Sequence, residues 1–235
     1  MNDLNYKAAR LALHALRSFL NGWSFHLVHP DDKQPDVSNW ALISDFPTEI
    51  RQRPELGLQN EGRLANMEVA CHRTDCLRIK SQAVFSMFRI IGDPRPDQGF
   101  QPGPVIAAKG RDTAVGGGLC QISTAIFNAA LLAGCDILEQ HNHSKDIWGE
   151  GRFLPLGKDA AYVFARWDLK FRNPFSSDLV LRMRVDRKRM SLKCQLWSPA
   201  AQPSQVLIRH TTLEEIPALQ ANGTKGWVVL TERIV

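Results

Sequence analysis

The chain has 235 residues, of which 44% are hydrophobic and 23% are charged, values close to the average for globular proteins. This composition excludes a disordered or fibrous protein, and a chain of this length buries enough apolar surface to fold without disulfides or a structural metal. Lysine and arginine outnumber aspartate and glutamate by 29 to 24, which gives a net charge of +5. Because such an excess specifies no ligand, we do not expect a nucleic-acid partner.

Residues 4–20 have the pattern of an amphipathic helix. Their leucines recur among charged residues, which leaves no apolar stretch long enough for a transmembrane span or a signal peptide. The five cysteines, an odd number without regular spacing, do not fit the disulfide framework of an exported domain. Both observations predict a cytoplasmic location.

The segment 22–54 is rich in proline, aspartate and serine, and it is predicted to be an irregular connection. It leads from an N-terminal helical appendage with its linker (1–42) into a main domain (43–198). A C-terminal extension (199–235) follows and is expected to pack as short strands. The sequence therefore predicts one main domain with an addition at each end.

Apolar spacing in the first half of the main domain indicates two helices. The first is predicted over 61–76, and short apolar runs predict strands over 83–91 and 104–108. The second helix, over 120–133, is apolar on all sides and is followed by Gly134, a typical helix-ending residue. A helix without a polar face is expected to be buried.

Beyond this helix the apolar pattern changes from helical to alternating, which is typical of strands. The predicted strand segments are 136–143, 160–172, the hairpin pair 180–185 and 190–197 around the turn 186–189, and the short runs 206–210 and 227–230. The sequence thus predicts an α+β fold with helices in the N-terminal half and mainly antiparallel strands in the C-terminal half, around one buried helix.

A glycine turn delivers a cysteine to the start of the buried helix. Gly116, Gly117 and Gly118 are followed by Leu119 and Cys120. The positive end of a helix dipole favours a thiolate over a thiol, and backbone amides of glycines could form an oxyanion hole because no side chain blocks a substrate carbonyl. The pattern indicates a nucleophile, with a small buried cysteine at a tight turn as the structural alternative.

A nucleophilic cysteine needs a base, and two histidines stand near the end of a predicted strand. His141 and His143 are two residues apart, so their side chains share a face of the strand. Acids and hydroxyls that could orient an imidazole follow in the sequence: Ser144, Asp146, Asp159 and Asp168.

Other readings of these residues involve metals or anions. Cys120, His141 and His143 could bind zinc, although the pattern is permissive. Cys71, His72 and Cys76 also resemble a metal cluster, but their spacing on a predicted helix favours packing. The basic residues of the hairpin 180–197 favour a solvated sheet face, with anion binding as the alternative. We expect no metal and no other cofactor.

Several blocks, in order, resemble the VanW family. They are residues 85–92, 99–100, 116–123, 139–146, 154–160 and 168–173. The Gly-Cys-Gln block and the His-Ser block are the specific parts, and the resemblance covers residues 44–198.

The resemblance implies a chemistry. The family is named for an accessory gene of some vancomycin-resistance clusters, and some VanW domains are associated with L,D-transpeptidation of peptidoglycan. In that reaction a cysteine attacks the carbonyl of the third stem-peptide residue and D-alanine leaves. Carried onto this chain, the nucleophile is Cys120 and the base is His143. The orienting acid is taken as Asp168, with Asp146 and Asp159 as alternatives.

The same blocks supply candidates for substrate binding or an oxyanion hole, namely Gly116, Gly117, Gly118, Gln121 and Ser144. Two hypotheses of function follow. One is a cysteine-dependent acyl transferase or amidase/peptidase acting on peptidoglycan stem or other D-amino-acid peptides. The other is a non-catalytic module that binds an anionic peptide or a cell-wall precursor at the helix N-terminus. In both, the partner is a peptide-like ligand, and the sequence does not define the oligomeric state.

Overall fold

The computed structural model describes residues 3–34, 36–52, 57–107, 110–143, 154–200, 206–217 and 225–234. The helices in these ranges are α1 (Asp3–Leu20), α2 (Gln59–Thr74), α3 (Met87–Ile90) and α4 (Leu119–Leu132). The strands are β1 (Ala41–Glu49), β2 (Leu77–Ile79), β3 (Val84–Ser86), β4 (Pro102–Ala107), β5 (Gly110–Val115), β6 (Asp136–Glu139), β7 (Lys170–Arg172), β8 (Leu179–Asp186), β9 (Ser191–Ser198), β10 (Leu207–Ile216) and β11 (Gly226–Ile234).

Antiparallel pairing joins the strands into two small core sheets and two hairpins. The larger sheet has the order β1-β9-β8-β2, and the smaller has the order β3-β7-β6. The hairpins are β4-β5 and β10-β11. Helices and antiparallel sheets in one chain confirm the predicted α+β class.

Helix α4 lies in the core, where it contacts α2, β1, β6 and β9. Its side chains are buried on all sides, as its uniformly apolar sequence predicts. Each fully buried Leu or Ile contributes about 1.5–3 kcal/mol of transfer free energy, so burial of this helix is a large part of the driving force for folding. Gly134 has φ +86° just after the helix ends, in the conformation that a helix-ending glycine adopts.

The predicted β8-β9 hairpin is confirmed, because its alternation places Leu192, Cys194 and Leu196 in the core. The C-terminal runs form the β10-β11 hairpin, whose strands are longer than predicted. The division into 1–42, 43–198 and 199–235 stays a prediction.

Strand β1 lies where an irregular connection was predicted, and that prediction was wrong. Its inward positions are Ser44, Phe46 and Thr48. Because only one of the three is apolar, the sequence does not show the apolar–polar alternation that is typical of a strand. Pro47 also argued against a strand, but β1 is an edge strand, where a proline costs no sheet hydrogen bond. The Ser44 hydroxyl is satisfied by donating to the carbonyl of Ala129 in α4, at 2.8 Å.

Three predicted strand segments are shorter than expected. Within 136–143, β6 ends at Glu139, so the prediction that His141 and His143 share a face of a strand was wrong. Within 83–91, β3 gives way after Ser86 to the single turn of α3. Within 160–172, only the last residues form β7, because the preceding segment binds side chains of α4 instead. No helix in the described residues is long and apolar enough to cross a bilayer.

Candidate functional site

The glycine turn before α4 is required by close backbone packing. Gly116 and Gly118 have φ values of +86° and +102°, which other residues rarely adopt. A Cβ on Gly117 would lie 2.2 Å from the carbonyl carbon of Gly103 in β4. The turn therefore fixes the start of α4 against the β4-β5 hairpin, and with it the position of Cys120.

Hydrogen bonds within the turn decide which amides could serve as an oxyanion hole. The amide of Gly116 donates to Gln101 at 3.1 Å, and that of Gly117 donates to Ala114 at 3.2 Å. Among the described residues, neither the amide of Gly118 nor that of Cys120 has an acceptor. The amides of Gly116 and Gly117 are therefore engaged within the turn, whereas those of Gly118 and Cys120 are the ones left for an oxyanion, and the predicted oxyanion hole stays a prediction.

One face of α4 holds the backbone of residues 158–162. Cys120, Thr124 and Asn128 are spaced four residues apart and so lie above one another on the helix. Thr124 binds both the amide and the carbonyl of Ala160, at 3.1 and 3.3 Å. The Asn128 amide donates to the backbone of residue 158 at 2.8 Å. These contacts align the segment 158–162 along the helix.

The thiol of Cys120 makes the third contact of this face. Its Sγ lies 3.5 Å from the amide nitrogen of Tyr162 and 3.6 Å from the Tyr162 carbonyl oxygen. The side chain is half-buried. The tyrosine ring is buried, and its hydroxyl donates to the carbonyl of Gly92 at 2.7 Å. Burial raises the pKa of Tyr162 well above its usual value, so the hydroxyl stays protonated.

His143 reaches the same place from the end of β6. The amide of Ala161 donates to the carbonyl of His141 at 2.7 Å, which extends the chain after β6 along the segment 158–162. Asp159 then lies beside His143: its carboxylate accepts from the His143 amide at 2.7 Å and contacts the ring Nδ1 at 2.8 and 2.9 Å. Asp159 therefore engages Nδ1 and leaves Nε2 as the other ring nitrogen of His143.

Charge interactions at His143 link these three residues. Burial lowers the pKa of His143, but hydrogen bonds with Asp159 and Cys120 raise it by more, to about 10. The imidazole therefore holds a proton at neutral pH. The structure brings together the predicted nucleophile and base.

Asp168 is predicted from the sequence as the orienting acid, but the carboxylate that contacts the His143 ring is that of Asp159. The Asp168 carboxylate accepts from the Ser86 hydroxyl at 2.6 Å and from the Phe88 amide at 2.9 Å. Burial raises the pKa of Asp168 to about 6, although Lys170 at 3.3 Å opposes that rise. Asp168 ties β3 and α3 to the strand β7 that follows it.

His141 points away from Cys120 into a buried charge cluster. Its Nε2 lies 3.0 Å from Glu139, and its ring stacks on Trp167 at 6.1 Å. Glu139 also accepts from Lys170 at 2.7 Å. Burial raises the pKa of Glu139, but Lys170 and His141 lower it by more, so the carboxylate is charged. His141 does not join Cys120 and His143 in a zinc site, and no metal-binding group of three or more His, Cys, Asp or Glu occurs among the described residues.

Gln121 faces away from the site, which corrects its predicted role in substrate binding. Its Nε2 donates to the hydroxyl of Thr48 at 3.0 Å and to the carbonyl of Glu49 at 2.9 Å, and its Oε1 accepts from Arg63. Gln121 therefore ties α4 to β1. Ser144 and the alternative acid Asp146 lie outside the described residues.

The remaining cysteines and the basic hairpin show no comparable site. Burial raises the pKa of Cys71 to about 12 and raises the pKa values of Cys135 and Cys194 too, as expected for packing residues. The hairpin's Arg187 pairs with glutamates on α2, which favours the predicted solvated face.

Sequence reasoning missed Tyr162 and left Asp159 as one of three choices. The signal that could have found them is the four-residue spacing of Cys120, Thr124 and Asn128, which places three polar side chains on one face of a mostly apolar helix. Such a stripe on a buried helix needs polar partners, and a nearby backbone segment can supply them.

The fold and site define an α+β protein in which a cysteine, a histidine and an aspartate meet at the start of a buried helix. Residues 62–197, more than half of the chain, match the family model described as VanW like protein, and the chain belongs to the VanW family. The resemblance stated from the sequence is thereby confirmed.

Two curated relatives have been compared with the chain. It is 26% identical over 125 residues to the uncharacterized protein YoaR of Bacillus subtilis (strain 168), covering 53% of this chain and 40% of that protein. It is 26% identical over 117 residues to the vancomycin B-type resistance protein VanW of Enterococcus faecalis (strain ATCC 700802 / V583), covering 49% of this chain and 42% of that protein. The matched part thus spans about two-fifths of each relative. No solved structure matches the chain.

Proposed function

We propose that this VanW-family protein is a cysteine-dependent acyl transferase or amidase/peptidase, with Cys120 as the nucleophile. The observation that carries this proposal is the contact of the His143 ring with Asp159, together with the raised pKa of His143, to which both Asp159 and Cys120 contribute. A nucleophile, a base and a group that orients the base are the parts that covalent acyl transfer requires.

The reaction would proceed through a thioester. The Cys120 thiolate attacks the carbonyl carbon of a peptide bond, and His143 donates its proton to the amine as the carbon–nitrogen bond breaks. An incoming amine or water, deprotonated by the now neutral His143, then attacks the thioester and releases the thiolate. Asp159 holds the imidazole in one orientation throughout and stabilises its positive charge.

The start of α4 supports this assignment of roles. The amides of Gly118 and Cys120 stand at the positive end of the helix, where an oxyanion forming on the attacked carbonyl would be stabilised. Loss of one such donor typically slows a reaction by about 10²–10³-fold.

The substrate class rests on the family rather than on the geometry. One relative is named for resistance to vancomycin, and the family resemblance carries an association with L,D-transpeptidation. We therefore assign a peptidoglycan stem or another D-amino-acid peptide as the acyl donor.

Alkylation with iodoacetamide tests the nucleophile. Cys76 is the matched control because it is also half-buried but lies far along the sequence from the site, and burial raises its pKa. We expect Cys120 to react at least about tenfold faster than Cys76 at neutral pH, and we expect His143→Ala to remove most of the difference. Equal rates at Cys120 and Cys76 in the folded protein would refute the proposal.

A non-catalytic binding module is the second candidate, and one contact favours it. The Cys120 thiol binds the Tyr162 backbone in the same way as the Thr124 hydroxyl binds that of Ala160, which is a purely structural use of a thiol. A binding module keeps its affinity for stem peptides in Cys120→Ser and forms no adduct. A mass increase on Cys120 after incubation with stem peptides excludes this candidate.

A further inference from the structure

Helix α1 packs against the rest of the protein with its polar side. Lys7 lies 3.7 Å from Asp93, and the guanidinium of Arg10 donates to the carbonyl of Arg166 at 3.3 Å. One turn further on, His14 lies 3.8 Å from Glu139. An ordinary surface helix turns its apolar stripe to the core and its charges to water. Helix α1 has the reverse orientation, with its polar side toward the protein.

The opposite side of α1 is apolar and open. Its large exposed side chains, with the fraction of each that is accessible, are Tyr6 (42%), Leu13 (58%), Leu16 (53%), Phe19 (57%) and Leu20 (74%). The 3-10 turn Trp23–His26, which follows α1, adds Phe25 (73%). The ring of Phe25 lies 5.9 Å from that of Phe19. Single exposed apolar residues are common, but a continuous apolar face of this kind marks an interaction surface.

After Asp3 at the first position of α1, the charge of this segment is of one sign. Residues 4–30 contain Lys7, Arg10 and Arg17 together with three histidines, and they contain no aspartate or glutamate. Arg17 is exposed beside the apolar face. A second copy of the same segment would bring like charges together, whereas an anionic surface is complementary to them.

We propose that α1 and the turn Trp23–His26 bind the surface of an anionic lipid bilayer. The helix would lie in the plane of the bilayer, with Leu13, Leu16 and Leu20 entering the acyl boundary and the exposed Arg17 meeting lipid phosphates. Phe19 and Phe25 would enter the acyl boundary with the leucines, since Phe and Leu form the apolar face of interfacial helices. This proposal is independent of the catalytic assignment of Cys120.

Vesicle flotation of the full chain tests the proposal. Phosphatidylcholine vesicles are compared with vesicles that also contain phosphatidylglycerol. We expect the protein to float with the anionic vesicles and to be released by added salt, since the electrostatic part of the binding is screened. Failure to float with anionic vesicles at low salt overturns the proposal.

Paired variants assign the binding to the α1 face. Leu16→Asp with Leu20→Asp is expected to weaken binding by at least about tenfold, since each leucine side chain leaves the acyl boundary. Leu213→Asp with Leu230→Asp changes two exposed leucines of the β10-β11 hairpin and is expected to leave binding unchanged. Arg17→Glu, a change at one exposed position, is expected to weaken binding to anionic vesicles alone. Equal losses of vesicle binding in the two double variants would contradict the bilayer assignment. Self-association of the protein without lipid, abolished only by Leu16→Asp with Leu20→Asp, would contradict it as well.

Discussion

The two carboxylate oxygens of Asp159 lie 2.8 and 2.9 Å from Nδ1 of His143, and the same carboxylate accepts the His143 backbone amide. One acid therefore fixes both the backbone and the ring of the histidine. This double attachment compensates for the position of His143 beyond the end of β6, where no sheet hydrogen bonds hold it. The bonds to Asp159 fix the orientation of the imidazole.

Asp159→Asn should slow alkylation of Cys120 by about tenfold or more, since the neutral amide no longer stabilises the imidazolium that favours the thiolate. Asp168→Asn is the matched control, because it removes the charge of the other candidate acid without touching His143. We expect that variant, measured where it is folded, to react at the wild-type rate. Slow alkylation of Cys120 in Asp168→Asn, together with fast alkylation in Asp159→Asn, would reverse our assignment of the orienting acid.

The contribution of the Asp159–His143 pair to stability should depend on pH. The pKa of His143 rises from 6.5 to about 10 on folding, so the folded state binds the proton more tightly and gains stability at low pH. The difference in unfolding free energy between wild type and Asp159→Asn should be about 2 kcal/mol near pH 6 and should decline as the pH rises from 6.5 toward 10. Urea titrations across this range measure it, and a difference that grows with pH contradicts the pairing.

Gly117→Ala should destabilise the protein by about 3 kcal/mol or prevent folding, because the added methyl would overlap the backbone of Gly103, which cannot move like a flexible side chain. Gly22→Ala is the control: it has φ +71°, but nothing lies within 4 Å of the added carbon, so about 1 kcal/mol of backbone strain is expected. Urea denaturation followed by circular dichroism distinguishes the two. A Gly117→Ala variant as stable as Gly22→Ala would show that the turn can relax.

The buried pair Glu139–Lys170 should behave as one unit. Their side chains are 2% and 4% exposed, so removal of one charge deprives the other of its shortest ion pair in the core, at 2.7 Å. Glu139→Gln and Lys170→Met should each cost about 3–5 kcal/mol of unfolding free energy, and the double variant should cost less than the sum. Asp45→Asn, which breaks the exposed pair with Lys193, should cost less than about 1 kcal/mol. Additive losses at Glu139 and Lys170 would contradict the coupling.

Local patterns predicted the elements that depend on near neighbours in the chain. The apolar run of α4, Gly134 at its end, and the alternation of the β8-β9 hairpin all agree with the structure. Strand β1 could not be found in this way. Its inward Ser44 and Thr48 are polar and form hydrogen bonds with α4, so the strand lacks an alternation of apolar side chains. Its stability comes from pairing with β9, which lies about 150 residues away along the chain.

The sequence by itself determined that Cys120 follows a glycine turn at the start of a buried helix, and that His143 is a candidate base. Only the tertiary structure decided between Asp159 and Asp168. The polar face of α4 captures the segment that carries Asp159 and lays it beside His143, whereas the strand β7 that follows Asp168 pairs with β3 and carries that acid to Ser86. Side-chain partners across elements depend on packing between distant parts of the chain, and spacing along the sequence does not contain that information.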